Sequence, residues 1–170
     1  MVTALLRLRY RMPMRLTLIA SLLLAVASDA RAARILFAGG NWAAIDFGAR
    51  CEARSKALWV RRDTQPYAGF AFEPSGKLQG RFYVHLSRPA RNGATVIATI
   101  GSEPFLLDGR GEWAWSRNAG QQRAILEAAR YGRSMRVDSR DRRGRRIVDH
   151  YELGGAATAI DAAAAACAGK

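Results

Sequence analysis

The chain has 170 residues, of which 49% are hydrophobic and 24% charged, with 16 glycines and 5 prolines. This length suits one domain, and the composition excludes a disordered or fibrous chain. The formal net charge is +13 at pH 7 and nearly all of the cations are arginine. A surface with this charge favours anionic partners such as lipid headgroups or acidic polysaccharides.

The N-terminal segment has the three parts of an export signal. Residues 7–15 are basic, residues 16–27 are an uninterrupted apolar run, and Ala30 and Ala32 are small residues where a signal peptidase reads. A membrane-spanning helix is the alternative, but it needs about 20 apolar residues and this run is shorter. We therefore expect residues 1–32 to be a signal peptide cleaved after Ala32. Residues 33–170 would then be a single periplasmic or secreted domain that does not span the membrane.

From residue 33 onward the pattern is mostly that of β-strands. The alternation is clearest at residues 80–87, where Phe82, Val84 and Leu86 alternate with polar-facing neighbours. The other predicted strands are residues 42–47, 51–55 with 57–61 as a candidate extension, 67–72, 94–100, 104–107, 112–115, 135–138 and 146–153.

Two helices interrupt or follow these strands. Asn118 and Gln121 have the spacing of a capping box, and Gly132 is a suitable terminator, so a helix is predicted up to residue 131. Gly154 and Gly155 break the last strand before an alanine-rich helix at residues 156–167. These elements predict a mainly β domain of the α+β type. Its architecture would be a β-sandwich or distorted barrel with one internal and one C-terminal helix.

An ordered set of residues between positions 41 and 167 resembles the invasion-associated locus B family of exported bacterial proteins, in its alphaproteobacterial branch. The set is Trp42, Gly48, Cys51, Arg88, Pro89, Phe105, Gly111, Ala114, Trp115, Leu126, Ala128, Ala129, Gly132, Met135, Val137, Gly144, Asp149, Tyr151, Leu153, Gly155 and Cys167. The chain departs from the family at Ala156, where relatives usually carry an aromatic residue. It also departs at residues 140–146, which are more basic than usual.

The resemblance implies an exported, mostly β domain with a disulfide. Cys51 and Cys167 are the two cysteines of the chain, and an oxidising compartment favours a bond between them. The alternative is a pair of buried free thiols. The family is linked to host-cell entry in some pathogens, but many members occur in free-living bacteria. No catalytic residues are established for it, so none are carried over.

The predicted hairpin tip at residues 140–146 is a candidate anion-binding site. Its arginines are Arg140, Arg142, Arg143, Arg145 and Arg146, around the single glycine Gly144. Guanidinium groups that fan out from one turn can hold phosphate or carboxylate. The alternative is a solvated turn that keeps the hairpin end soluble and prevents edge pairing.

The sequence contains no strong motif for catalysis or for cofactor binding. The two histidines, His85 and His150, lie in predicted strands and outside any recognisable nucleophile motif, and are more typical of surface or core filling. The histidine and cysteine spacing does not fit a zinc site, and there is no glycine-rich phosphate loop or nucleic-acid motif. We therefore expect no metal, no cofactor and no nucleic-acid partner.

Four aromatic residues offer a further candidate patch. Trp113 and Trp115, with Tyr83 and Phe82, have the strand spacing of a surface that stacks a ligand, but such aromatics more often belong to the core.

The sequence thus favours an exported, non-enzymatic cell-envelope protein of the invasion-associated locus B type that acts through its surface. Its partner would be an envelope or host-surface component. The second hypothesis is a binder of lipopolysaccharide or acidic polysaccharide that uses the arginine tip. The third is a hydrolase of envelope material.

Overall fold

The computed structural model describes residues 32–59 and 64–170. The predicted signal peptide lies outside these residues, apart from Ala32. In the described part of the chain, ten strands form one antiparallel sheet that carries two helices. The elements are β1 (Arg34–Gly39), β2 (Trp42–Asp46), β3 (Cys51–Lys56), β4 (Tyr67–Phe72), β5 (Gln79–His85), β6 (Val96–Ile100), β7 (Glu103–Arg110), β8 (Trp113–Trp115), α1 (Ala119–Tyr131), β9 (Ser134–Arg140), β10 (Arg146–Glu152) and α2 (Ala156–Ala168).

The order of the strands is β1-β2-β3-β4-β5-β8-β7-β6-β9-β10, so the predicted mainly β fold is confirmed. The sheet curls until its two ends meet. The backbone N–H of Asn41, in the β1–β2 turn, donates to the carbonyl of Gly154 at 3.2 Å. Beside it, the indole N–H of Trp42 donates to the carbonyl of Glu152 at 2.9 Å. These contacts hold β10 and the start of α2 against the first hairpin.

One face of the sheet carries the core, and α2 packs on it across β2 and β3. Cys51 and Cys167 are both buried there and form the predicted disulfide, with their Cα atoms 5.8 Å apart. The alanines of α2 let the helix axis approach the strands closely, because their side chains end at Cβ. We call this core-bearing face the inner face and the opposite side the outer face.

The predicted start of α1 is confirmed, with one change in the cap. Asn118 Oδ1 accepts from the backbone N–H of Gln121 at 2.9 Å, as expected. The Gln121 side chain accepts from Arg117 at 2.8 Å rather than from Asn118, so the reciprocal bond lies one residue earlier. Gly132 ends the helix with φ −70°, and a Cβ there would lie 2.7 Å from Ile100 Cγ2. The glycine is therefore required by close packing against β6 and not by a left-handed backbone.

Two strand predictions differ from the structure. The sequence pattern did not single out β1, because none of its six residues is buried: three are exposed and three are half-exposed at the edge of the sheet. The candidate extension at residues 57–61 does not form at 57–59, since β3 ends at Lys56 and the chain turns there.

No helix in the described part of the chain is long and apolar enough to cross a membrane.

Candidate functional site

The predicted arginine hairpin is present, with β9 and β10 paired from Arg140 opposite Arg146 to Ser134 opposite Glu152. We call residues 140–146 the arginine tip. Its turn is organised by Asp141, which is buried although it lies at the end of a hairpin. Asp141 Oδ1 accepts from the backbone N–H groups of Arg143 and Arg145, each at 2.9 Å. These bonds fix the backbone of the turn from within.

Asp141 also anchors two guanidinium groups. Its Oδ2 accepts from Arg145 Nε at 2.8 Å and from Arg88 Nη1 at 2.9 Å, so the tip is tied to the loop that follows β5. Burial acts to raise the pKa of Asp141. The hydrogen bonds and charge of Arg145 and the N–H of Arg143 lower this pKa by more than burial raises it, so the net shift is downward. Asp141 is therefore a charged, fully engaged structural group and not a free binding group.

The five predicted arginines divide into two kinds. Arg140 donates to the carbonyl of Gly144 at 2.9 Å, Arg145 is bound by Asp141, and Arg146 pairs with Asp138 at 3.1 Å. The side chains of Arg142 and Arg143 are exposed, and they form no hydrogen bond or ion pair with any residue of the described ranges. Among the residues that the structure describes, the tip thus presents two guanidinium groups without partners, on a turn whose backbone is hydrogen-bonded to Asp141.

A groove runs along the outer face from this tip. It has a volume of about 530 Å³, and Arg91, Arg140 and Arg146 line it together with Asp138 and Ile97. Asp138 is engaged by Arg136 at 2.6 Å and by Arg146. Positive charge therefore exceeds negative charge along this end of the sheet, and the groove extends the cationic surface of the tip.

Replacing Asp141 by asparagine tests the internal support of the tip. The amide oxygen of the asparagine keeps an acceptor for the turn but loses the ionic partner of Arg88 and Arg145, so we expect a lower melting temperature at pH 7. Because the pKa of Asp141 is depressed in the folded protein, its contribution is present above the unfolded value of 3.8 and is lost as the pH falls through the folded value.

The difference in melting temperature between wild type and Asp141→Asn should accordingly shrink in acid, which a series of thermal melts from pH 7 to pH 3 would measure. Asp108→Asn is the matched control, because Asp108 is exposed and its one ion-pair partner in the described ranges is Arg117, at 3.2 Å. A loss in Asp141→Asn no larger than in Asp108→Asn would contradict this role.

The two histidines lie apart on the outer face. His150 lines a cleft of about 430 Å³ with Ser87, Asp149 and Trp59. Asp149 accepts from the backbone N–H of Ser87 at 2.9 Å, and burial raises its pKa. The ring of His150 packs edge-on against Trp59, with centroids 5.0 Å apart. Within the described residues no hydrogen bond joins His150 to Ser87 or Asp149, so the relay that activates a nucleophilic serine is not formed.

His85 belongs to an aromatic cluster on the outer face of β4, β5 and β8. Its ring stacks on Tyr67 at 5.1 Å and meets Trp113 edge-on at 4.7 Å. Trp113 is nearly parallel to Trp115, at 10° and 6.3 Å between ring centroids. Both tryptophans are half-buried on the outer face, so the expectation that they pack in the core is wrong, whereas Phe82 does lie in the core.

A buried carboxylate lies beside this cluster, and sequence reasoning missed it. Glu52 is 2% exposed and accepts from the Tyr83 hydroxyl at 2.6 Å and from Arg54 at 2.5 Å. It also forms an ion pair with Arg50, whose Nε lies 2.7 Å from Glu52 Oε1. Burial and the neighbouring Glu52 carboxylate raise the pKa of Tyr83, so the phenol stays protonated and donates. Glutamate at an outward position of a strand usually marks solvent, and nothing local in the sequence distinguished Glu52.

Tyr83 reaches Glu52 because the strand between them carries a glycine. A Cβ on Gly69 would lie 2.6 Å from the Ala53 carbonyl and 2.7 Å from the Tyr83 hydroxyl. The Tyr83 ring therefore crosses β4 over Gly69 to contact β3. The result is a small cleft of about 200 Å³, which we call the aromatic cleft, lined by Arg50, Glu52, Arg54, Tyr67, Ala71, Leu78, Arg81, Tyr83, Trp113 and Trp115.

Within residues 32–59 and 64–170, no three histidine, cysteine or acidic side chains come together as a metal-binding group. Comparison of the chain with family models, with curated proteins and with solved structures gives no match.

Proposed function

We propose that this protein is an exported, non-enzymatic component of the cell envelope that binds anionic ligands through the arginine tip. The observation that supports this most is that one residue of the tip holds the turn while two others leave their side chains exposed. Asp141 holds the turn from inside, while the guanidinium groups of Arg142 and Arg143 remain exposed and without partners among the described residues. Asp141 therefore sets the shape of the turn, and the side chains of Arg142 and Arg143 take no part in holding it among the described residues.

The chemistry of the tip suits oxyanions. A guanidinium group offers a planar fork of N–H donors that matches carboxylate and phosphate oxygens. Holding several guanidinium groups close together raises the local positive potential, and a bound anion relieves their mutual repulsion. Because Arg142 and Arg143 are exposed, they bind without a large desolvation cost. Phosphates of lipopolysaccharide and carboxylates of acidic polysaccharide share this chemistry.

We also propose that the chain is of the invasion-associated locus B type. Residues that carry the resemblance occupy structural junctions here: the Cys51–Cys167 bond, the Trp42 indole on the Glu152 carbonyl, and Gly132 against β6. Such positions support a shared fold. They do not supply catalytic groups, which agrees with a binding role.

The test is a binding titration with two probes, purified lipopolysaccharide and polygalacturonate, which separate phosphate from carboxylate recognition. The double variant Arg142→Gln/Arg143→Gln is expected to bind about ten- to thirtyfold more weakly, since each cation near an anionic surface contributes about 1 kcal/mol. Binding of the wild type should weaken as sodium chloride is raised, because salt screens exposed charges.

The matched control is Arg123→Gln/Arg133→Gln, which removes the same charge from two exposed arginines outside the tip. Dextran, a neutral polymer, should not bind. Equal weakening in the two double variants would attribute binding to net charge alone and refute a specific role for the tip.

A further inference from the structure

We propose that the aromatic cleft is a second binding site, for a single acidic sugar: a pyranose ring that carries a carboxylate. The ring would pack on Trp115, and the carboxylate would bind the guanidinium groups of Arg81 and Arg50. This site is on the outer face of β3, β4, β5 and β8, and its argument does not depend on the arginine tip.

The first step concerns which aromatic surface is free. Tyr67 lies between the His85 ring on one side, at 5.1 Å, and the Arg54 guanidinium, 4.6 Å from its centroid. The Trp113 ring is steeply inclined to the rings of Tyr67 and His85, whose centroids lie 5.7 and 4.7 Å from its own. Trp115 is half-buried, and its one aromatic neighbour among the described residues is Trp113. Trp115 therefore offers the flat surface that a ligand can cover.

The second step concerns charge. Glu52 accepts from Tyr83 and Arg54 and is ion-paired with Arg50, so its oxygens are already engaged. Arg50 uses its Nε for Glu52, which leaves its terminal nitrogens as donors. Arg81 is exposed and has no ion-pair partner within the described residues. The cleft therefore carries more positive than negative charge, and its unused hydrogen-bonding groups are donors that suit a carboxylate.

The third step concerns the shape of the ligand. A cleft of about 200 Å³ is smaller than the roughly 300–1,000 Å³ of sites for drug-sized ligands, so it fits one small ring. A planar base cannot insert between Trp113 and Trp115. It would need one stacking contact of about 3.5–4.0 Å on each side, and the sum of the two is greater than the 6.3 Å between the ring centroids. Stacking is thus one-sided. A pyranose has one apolar C–H face for the electron-rich indole and polar edges for solvent and the arginines.

The test uses D-glucuronate as the probe, followed by saturation-transfer NMR and tryptophan fluorescence on the full protein. Wild type should bind glucuronate more tightly than D-glucose or acetate, because each of these lacks one half of the ligand. Arg81→Gln should weaken binding about tenfold or more, and Arg81→Lys should restore only part of it, since lysine keeps the charge without the fork. Trp115→Leu should abolish the saturation transfer to the sugar ring.

Two controls separate this site from others. Trp59→Leu removes an exposed tryptophan from a different cleft, and it should leave glucuronate binding unchanged. The tryptophan fluorescence change on glucuronate binding should persist in Arg142→Gln/Arg143→Gln, because neither arginine lines the cleft, so failure of the tip and failure of the cleft are distinguishable. Arg81 is exposed, and its variants are expected to fold normally. The proposal is overturned if acetate binds as tightly as glucuronate, if uridine monophosphate binds more tightly at the same residues, or if glucuronate does not bind.

Discussion

Replacing Cys51 or Cys167 by alanine is expected to lower the free energy of unfolding by about 4–5 kcal/mol. The bond joins residues 116 positions apart, and a cross-link that closes a loop this long removes much of the entropy of the unfolded chain. Small domains are stable by only about 5–15 kcal/mol, so this loss is a large share of the total. For a domain of this size the melting temperature should fall by about 8–20 °C, as measured by circular dichroism.

The controls for this prediction exploit the fact that both single variants break the same bond. Cys51→Ala, Cys167→Ala and the double variant should melt within a few degrees of one another, and none should respond to reductant, whereas wild type should. An unchanged melting curve of either variant in oxidising buffer would contradict the prediction.

The intact mass of exported wild-type protein without reductant also tests the expected processing: the chain should begin at Ala33 and lack the hydrogens of both thiols.

Gly155→Ala is expected to destabilise the protein by about 2–5 kcal/mol. Gly155 has φ +91°, in the left-handed region, where a side chain costs about 1–2 kcal/mol. A Cβ there would also lie 2.2 Å from the Gly39 carbonyl, and relieving such overpacking costs about 1–3 kcal/mol. The contact joins the first hairpin to the start of α2. Urea unfolding followed by tryptophan fluorescence would measure the loss.

Gly144→Ala is the matched control for Gly155→Ala. Gly144 has φ +77°, but nothing lies within 4 Å of a Cβ built there, so only the backbone cost applies. We expect Gly144→Ala to cost about 1–2 kcal/mol. The excess in Gly155→Ala measures the close approach of the two backbones. Equal losses in the two variants would show that the hairpin and α2 are not held together through this contact.

The elements predicted from sequence were those whose signals are local. The alternation of residues 80–87, the Asn118 cap and the glycine turn of the arginine tip each depend on neighbours a few positions away, and all three are present. The Cys51–Cys167 bond was also predicted, because the two cysteines of a chain that we expect to be exported leave one pairing.

The outer face was not predictable in the same way, because it is assembled by strands distant in sequence. β8 pairs with β5 after the chain has passed through β6 and β7, and this places Trp113 and Trp115 opposite His85 and Tyr83. Glu52 is recognisable as a buried group only once Tyr83 crosses Gly69 to reach it. Likewise Asp141 gains Arg88 from a loop more than fifty positions earlier, and no local pattern specifies that pair.

The most direct test of the arginine tip as the anion-binding surface is an amide NMR titration of the folded domain with polygalacturonate. We predict that the largest shifts fall on the backbone amides of Arg142, Arg143 and Arg145, with smaller shifts along the groove at Arg91 and Arg140. They should reverse on addition of salt. Shifts of equal size over all basic surfaces, or a maximum on α1, would contradict the proposal and leave the tip as a solvated turn.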